Sequence, residues 1–336
     1  MNPDLEVSVE QEVAQVKMKR PHVVVLGAGA SRAVCPHGDK NGRVLPLMCD
    51  LTEVVGLKAL LTRWGINPNQ NFEEIFSDLY ERGEKDKVER VQETVESYFE
   101  QLELPDEPAI YDHLVLSLRE TDLIATFNWD PLLTQAFLRN GQAGLGLPKL
   151  AFLHGNVGVG YCEKDRVTGL AGRLCPRCRR RYTRTQLLYP IKLKNYSDNP
   201  FIVNEWRQLN WSLRNAFMIT VFGYSAPRTD QEAIGAMRSA WGEKSQRVLE
   251  QTAFITVQTE EEVMQNWDAF IHTHHYEVQA SFYDSWIANH PRRTGEAYIN
   301  QYLEAKFIDD NPVPREMDFE QLWAWFGQFK EAEAAA

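Results

Sequence analysis

Val23-Val24-Val25-Leu26-Gly27-Ala28-Gly29-Ala30-Ser31 is the stretch whose reading decides the fold. Four apolar residues in a row suit a central strand of a parallel sheet, covered on both faces. The two glycines directly after it permit a tight turn in which backbone N–H groups approach a phosphate or pyrophosphate. Ser31 adds a hydroxyl donor. The turn lacks the third glycine of the usual dinucleotide fingerprint, and a Gly-Ala-Gly turn also serves simply to pack a helix on a strand. The nucleotide reading therefore needs support from elsewhere in the chain.

Working outward, Cys35-Pro36-His37-Gly38-Asp39 and Asn41-Gly42 read as a polar loop lying over the turn, and Leu47–Leu61 as a helix. Phe72, Ile75, Phe76, Leu79 and Tyr80 recur at helical spacing, as do Val88, Val91, Val95, Tyr98, Phe99 and Leu102, which predicts a helical insertion over about 50–108. Strand and helix then alternate: Ile110–Leu118 helix, Leu123–Phe127 strand, Pro131–Leu138 helix with proline in its first turn, and Leu150–Leu153 strand. After a Cys- and Arg-rich insert at about 160–185 the alternation resumes with Phe201–Leu213 helix, Phe217–Phe222 strand, Asp230–Trp241 helix and Phe254–Val257 as a last strand. The fold class expected is α/β, a Rossmann-like and mostly parallel sheet carrying a helical insertion, the small Cys-containing insert and C-terminal helices. Residues 1–20 read as a mobile arm or assembly segment, 21–258 as the sheet domain, and 259–336 as a helical extension whose Trp323 and Phe326 pack on the sheet or on another subunit.

The 336 residues are 43% hydrophobic and 25% charged, the balance of a soluble globular protein, and the net charge of −11 argues against a nucleic-acid binder. Positive charge is nevertheless concentrated between Lys164 and Lys194, where eight further basic residues, including Arg177, Arg179, Arg180, Arg181 and Lys192, face only Asp165. Such a cluster is either a solvated surface or a docking patch for an acidic partner. No apolar run is long enough to span a bilayer and the first residues are polar and acidic, so a cytoplasmic protein with no membrane contact is expected. Five cysteines do not form a disulfide framework; Cys35 and Cys49 read as inert thiols, whereas Cys162, Cys175 and Cys178 are spaced for a metal.

Ligands of open parallel sheets gather at the carboxyl ends of strands. Four such ends carry polar residues here: Gly27–Ser31, Thr126-Phe127-Asn128-Trp129-Asp130, Leu153-His154-Gly155 and Phe222-Gly223-Tyr224-Ser225. Each has an ordinary explanation, since Asn128 and Asp130 can cap the helix at Pro131 and a His-Gly pair can be a turn. Together and in this order, with a cysteine module after the His-Gly pair, they resemble the sirtuin, or silent information regulator, family over roughly residues 22 to 258.

The resemblance implies NAD+ as substrate, bound by Gly27, Ala28, Gly29, Ala30, Ser31, Asn128, Asp130, Gly223 and Ser225, with Asn128, His154 and Asp130 as catalytic residues. Asn128 would present its amide to the ribose or an attacking water, Asp130 would hold the loop or accept from a bound group, and His154 would act as general base on water or on a ribose hydroxyl. Gln258 and Thr259 are candidates for the adenosine end. It also implies a structural zinc held by Cys162, Cys175 and Cys178. Because Cys162 lacks a second cysteine, the fourth ligand is Asp165, a residue from elsewhere, or none in a degenerate metal-free module.

Two departures bear on activity. Ser31 is followed by Arg32-Ala33-Val34-Cys35-Pro36 in place of the family's Gly-Ile-Pro-Asp-Phe-Arg, and Leu188-Tyr189-Pro190-Ile191-Lys192-Leu193-Lys194-Asn195-Tyr196 replaces the Phe-Gly-Glu strand with which deacylating members hold an acyl-lysine peptide. With Asn71-Phe72-Glu73-Glu74-Ile75-Phe76, these features are more similar to the bacterial sirtuin-like proteins of anti-phage defence, which hydrolyse NAD. The expectation is an NAD+ glycohydrolase, active as a homo-oligomer or with a co-encoded partner such as an ATPase. The alternatives are a protein deacylase or ADP-ribosyltransferase, and a non-catalytic NAD or ADP-ribose sensor.

Overall fold

The computed structural model describes residues 5–190, 199–226, 230–243, 245, 247, 249–268, 270–271 and 276–336. In chain order the strands are β1 (Glu6–Val7), β2 (His22–Leu26), β3 (Leu123–Thr126), β4 (Lys149–Phe152), β5 (Val159–Cys162), β6 (Val167–Leu170), β7 (Thr183–Arg184), β8 (Met218–Phe222), β9 (Gln251–Ile255), β10 (Tyr276–Gln279) and β11 (Phe307–Ile308). Six of them form one wholly parallel sheet in the order β10-β9-β8-β2-β3-β4. β2 lies inside it, pairing Val23 with Leu123 on one side and Ile219 on the other, and Val23, Val24, Val25 and Leu26 are fully buried. That environment is what an uninterrupted Val-Val-Val-Leu run requires, because a half-exposed strand would alternate.

The sheet does not end where the sequence pattern suggests. β9 begins and ends before Phe254–Val257 would have it, Val257 is 97% exposed, and β10 adds a further parallel strand beyond it. Tyr276-Glu277-Val278-Gln279 is short, polar at alternate positions and only partly buried, as an edge strand tolerates, so it carries little apolar signal. The Leu47–Leu61 helix is likewise two short helices, Leu51–Val54 and Lys58–Arg63, separated at Gly56 with φ +79°. The insertion helices Phe72–Glu81 and Lys85–Glu100 bury Phe72, Ile75, Phe76, Leu79, Val91, Val95 and Phe99 as their spacing implies, but Tyr80 faces outward at 56% exposure.

Residues 5–20 are not a free arm. β1 pairs in parallel with β11, Lys17 and Met18 N–H donate to the Glu296 carboxylate, and the buried Arg293 guanidinium donates twice to Val13 O at 3.0 and 2.8 Å. Glu12, fully buried, sits 2.9 Å from His290 Nδ1, and Arg292 and Arg293 both pair with Glu333. Buried charges persist only when paired and hydrogen-bonded, and here the guanidiniums also satisfy main-chain carbonyls. The C-terminal helix Phe319–Ala334 buries Leu322, Phe326 and Phe329 against Leu116 and Val13 of the same chain, and Trp323 Nε1 donates to Asn140 Oδ1. Of the two expectations for Trp323 and Phe326, packing within the chain or on another subunit, the helix follows the first, against Leu116 and Val13 rather than the sheet strands.

The helix Pro200–Asn215 closes the other edge of the sheet. Glu205 on it is buried and its Oε2 accepts from Phe152 N at 2.8 Å, an amide of edge strand β4. Removal from water pushes this carboxyl up to about 7, against the opposing pull of the Phe152 N–H. An acid whose folded-state pKa lies above its unfolded value binds its proton more tightly when folded. The fold therefore loses stability as pH rises from the ordinary glutamate range through 7. Glu205→Gln keeps an acceptor without the charge. It is expected to raise the melting temperature at pH 8, corresponding to roughly 1 to 3 kcal/mol, and to leave it little changed at pH 5; thermal denaturation at the two pH values measures this.

Candidate active site

The centre of the sheet presents three adjacent strand ends, β8, β2 and β3, at its carboxyl edge. The turn after β2 is pressed against the turn after β8. Gly27 N–H donates to Phe222 O at 3.0 Å and Gly29 N–H to Gly223 O at 2.9 Å. A β-carbon on Gly29 would lie 2.9 Å from Gly223 Cα, and one on Gly223 would lie 2.1 Å from Ala30 N at a φ of +62°. Only glycine fits this approach. Two of the turn's amides are thus taken up by protein carbonyls, and the helix Ala28–Val34 begins directly beside the β8 turn.

Asn128 and Asp130, at the end of β3, reach into the same place. Asn128 Nδ2 donates to Gly27 O at 2.8 Å and to Ser31 Oγ at 2.9 Å, and Ser31 Oγ donates to Asp130 Oδ2 at 2.7 Å. The Tyr111 hydroxyl, from the helix Ile110–Leu116, is 2.8 Å from Ser31 Oγ. Asp130 Oδ1 also accepts from Leu132 N, the first amide of the next helix, whose N-cap is Pro131, so the helix-start contact and the site contact belong to one carboxylate. Burial raises the Asp130 pKa, opposed by the Ser31 hydroxyl and the Leu132 amide.

His154 follows β4 on a turn closed by Gly155, whose φ is +77° and whose β-carbon would strike Gln186 O at 2.3 Å. Its ring is buried and meets Phe127 edge-on at 4.8 Å, while Phe127 stacks on Tyr224 at 4.4 Å. Asn156 ties the His154 turn to the β3 end by donating Nδ2 to Asp130 O at 2.6 Å.

These groups open onto one cavity of about 720 Å³. Gly27, Ala28, Gly29, Ser31, Asn128, Asp130, His154, Gly223 and Ser225 all line it, as does Gln258. Ala30 lies behind the turn, fully buried, and Thr259 instead caps the helix Glu260–Trp267. The polar loop after the turn forms a wall through Pro36, Leu45 and Met48, braced by Arg32, which pairs with Asp50 at 2.6 Å. Residues 191–196 of the segment contrasted with the peptide-holding strand, and Lys192 and Lys194 of the basic cluster, lie outside the described residues. Sequence reading missed Tyr111, Asn156 and Tyr224. Asn156 adjoins a quoted motif and Tyr224 sits inside one without having been given a role, whereas Tyr111 sits in an apolar helix that reads as core.

Away from the cavity, β5, β6 and β7 form a small antiparallel sheet around the cysteines. Cys162, Asp165, Cys175 and Cys178 offer ligand atoms within 4.8 Å of one another. Cys162 Sγ is 3.5 Å from Cys178 Sγ, and Asp165 Oδ2 lies 3.2 Å from Cys175 Sγ and 3.6 Å from Cys162 Sγ. A tetrahedron with zinc–sulfur bonds of about 2.3 Å has edges near ~3.7 Å, so three thiols and a carboxylate at these separations match a closed zinc site. Asp165 is the fourth donor brought to the cluster. The arginines around it are exposed; Arg184 pairs with Glu100. Elemental analysis of the purified chain is expected to find about one zinc per chain. Asp165→Ala should lose the metal and lower the melting temperature together, and Asp165→Cys should retain both.

No family model and no curated protein matches the chain. Among solved structures, it is similar to a Sir2 homologue mutant in complex with ADP-ribose, at 14% identity over 100% of this chain and 99% of that one, with a TM-score of 0.41. It is similar to a Sir2 homologue in complex with NAD, at 14% identity over 88% of this chain and 93% of the other, TM-score 0.35. A third, Sir2 bound to an acetylated peptide, shares 15% identity over 85% of this chain and 93% of its own, TM-score 0.36.

Proposed function

We propose that the chain is an NAD+ glycohydrolase, cleaving the bond between nicotinamide and ribose to release nicotinamide and ADP-ribose. The observation that carries this reading is the convergence of Gly27–Gly29, Ser31, Asn128, Asp130, His154 and the Gly223–Ser225 turn on one cavity at the carboxyl edge of a parallel sheet. That edge is where such folds hold nucleotides. The cavity is of the size that encloses a small-molecule cofactor.

The chemistry asks little of the protein beyond positioning. As the carbon–nitrogen bond breaks, its electron pair leaves with nicotinamide, neutralising the pyridinium, and positive charge develops on the ribose. Water adds to the anomeric carbon, and its surplus proton passes to a base. His154, at the cavity wall, is the base in this reading, and Asn128 orients the water or a ribose hydroxyl through its amide. Phe127 packs edge-on against His154 and is itself backed by Tyr224 and Trp206, an aromatic group that limits the entry of bulk water on this side. Residues 188–196 stand where deacylating sirtuins carry a Phe-Gly-Glu peptide-holding strand and lack that sequence, which favours hydrolysis over acyl transfer.

An unregulated enzyme of this kind would deplete the NAD of its own cell. Activity in anti-phage defence, with control by self-assembly or by a co-encoded protein such as an ATPase, is the setting this reading implies. Purified chain incubated with NAD+ is expected to produce nicotinamide and ADP-ribose in equal amounts with no acyl-peptide added. His154→Ala and Asn128→Ala should each slow turnover by about two orders of magnitude while NAD+ still binds. Full activity in His154→Ala, or dependence on an acetyl-lysine peptide, would overturn the assignment.

A further inference from the structure

Asn128 is the group whose orientation decides what the cavity presents to a ligand, and its orientation is not free. Gly27 O can only accept, so the amide nitrogen must face it, and the second N–H of that nitrogen points at Ser31 Oγ. Asn128 Oδ1 makes no hydrogen bond among the described residues, is not enclosed, and belongs to a side chain lining the cavity. It is left as an acceptor for a ligand hydroxyl or a water.

What holds the amide in place is a chain with one consistent set of proton positions. Ser31 Oγ has a single proton and two acceptor sites. The proton goes to the Asp130 carboxylate, so both acceptor sites are open to donors, and Asn128 Nδ2 fills one. The other faces the Tyr111 hydroxyl at 2.8 Å, which must therefore donate. Tyr111 is fully buried and its pKa is raised well above the ordinary phenol range, first by burial and then by the nearby Asp130 charge, so the phenol keeps its proton and remains a donor. Its oxygen also stands 3.3 Å from Asn128 Nδ2, closing a triangle around the amide.

We infer that Tyr111 is a positioning residue of this site, locking Ser31 and through it the Asn128 amide so that Asn128 Oδ1 faces the cavity. The kinetic part of this inference rests on the hydrolase reading; the orientation itself does not. Loss of the hydroxyl leaves a buried acceptor site on Ser31 open and loosens Ser31 Oγ, so that Gly27 O is left as the amide's one fixed partner and the hold on its terminal torsion, which has only a broad two-fold preference, weakens. Tyr111 does not line the cavity, so its effect is on orientation rather than on binding area.

The test uses the full chain and Tyr111→Phe, which removes one oxygen and keeps the ring. With NAD+, kcat is expected to fall about ten-fold while KM stays within about two-fold. Ser31→Ala should cost a similar factor, and the double variant should be no slower than the slower single variant, because both break the same chain. In selectively ¹⁵N-asparagine-labelled protein, the side-chain amide protons of Asn128, assigned by their loss in Asn128→Ala, should exchange with solvent about ten-fold faster in Tyr111→Phe than in the unaltered chain. An unchanged kcat in folded Tyr111→Phe, strictly multiplicative losses in the double variant, or unchanged Asn128 exchange each overturn the inference. The exchange measurement does so whether or not the chain hydrolyses NAD+. An unaltered chain that leaves NAD+ intact, with Asn128 exchange accelerated in the variant, would overturn the hydrolase reading alone and leave Tyr111 in its assigned role.

Discussion

Gly29 N–H donating to Gly223 O is the contact on which the ligand side of this molecule depends. Neighbouring parallel strands ordinarily diverge into separate loops at their carboxyl ends. Here the loops after β2 and β8 touch backbone to backbone, in a space that a single β-carbon at either glycine would fill. The contact sets the start of the helix Ala28–Val34, and with it the position of Ser31 on that helix. Ser31 in turn is the hinge point for Asp130 and Asn128 from β3. A polar cluster assembled from three strand ends is thus referenced to one main-chain hydrogen bond rather than to the accidents of side-chain packing.

The same economy appears in Asp130. Its two oxygens serve different structures, one accepting from the first amide of the helix Leu132–Asn140 and the other from Ser31. The helix-start contact alone would be satisfied by a partly exposed aspartate at low cost. Burying the group raises its pKa, a penalty that a purely structural contact has no reason to carry, and the hydrogen bonds to its charged form oppose that rise. The site and the scaffold are in this sense made of the same atoms, which is why a loop substitution here is felt by a helix.

Much of this was readable from residue types and spacing, and what escaped did so for identifiable reasons. The Val-Val-Val-Leu run, the four polar strand ends and the helical insertion have strong local patterns; the run is fully buried, and residues from each of the four strand ends line one cavity. Tyr111 escaped because one hydroxyl on an otherwise apolar helical face leaves no periodic trace, and its partners lie 80 and 17 residues away. β10 escaped because four half-buried residues at a sheet edge lack the apolar density that marks an inner strand. The docking of residues 5–20 was invisible since it relies on buried arginines, whose sequence signature is that of an exposed surface. Asp165 could be named among several possible zinc ligands, but its convergence with the cysteines is a matter of three-dimensional reach.

The clasp made by Val13, Glu12 and Lys17 with His290, Arg293 and Glu296 joins segments separated by 278 to 280 residues. Closing so long a loop costs chain entropy that short-range pairing does not, and the cost is met only when both flanks are already ordered. The strands that frame the cavity pair segments nearer in sequence, β2 with β3 and β8, and none of those pairings runs through the clasp. Its unfastening would be a local opening of the terminal segments that leaves β8, β2 and β3 paired and the carboxyl edge of the sheet in place.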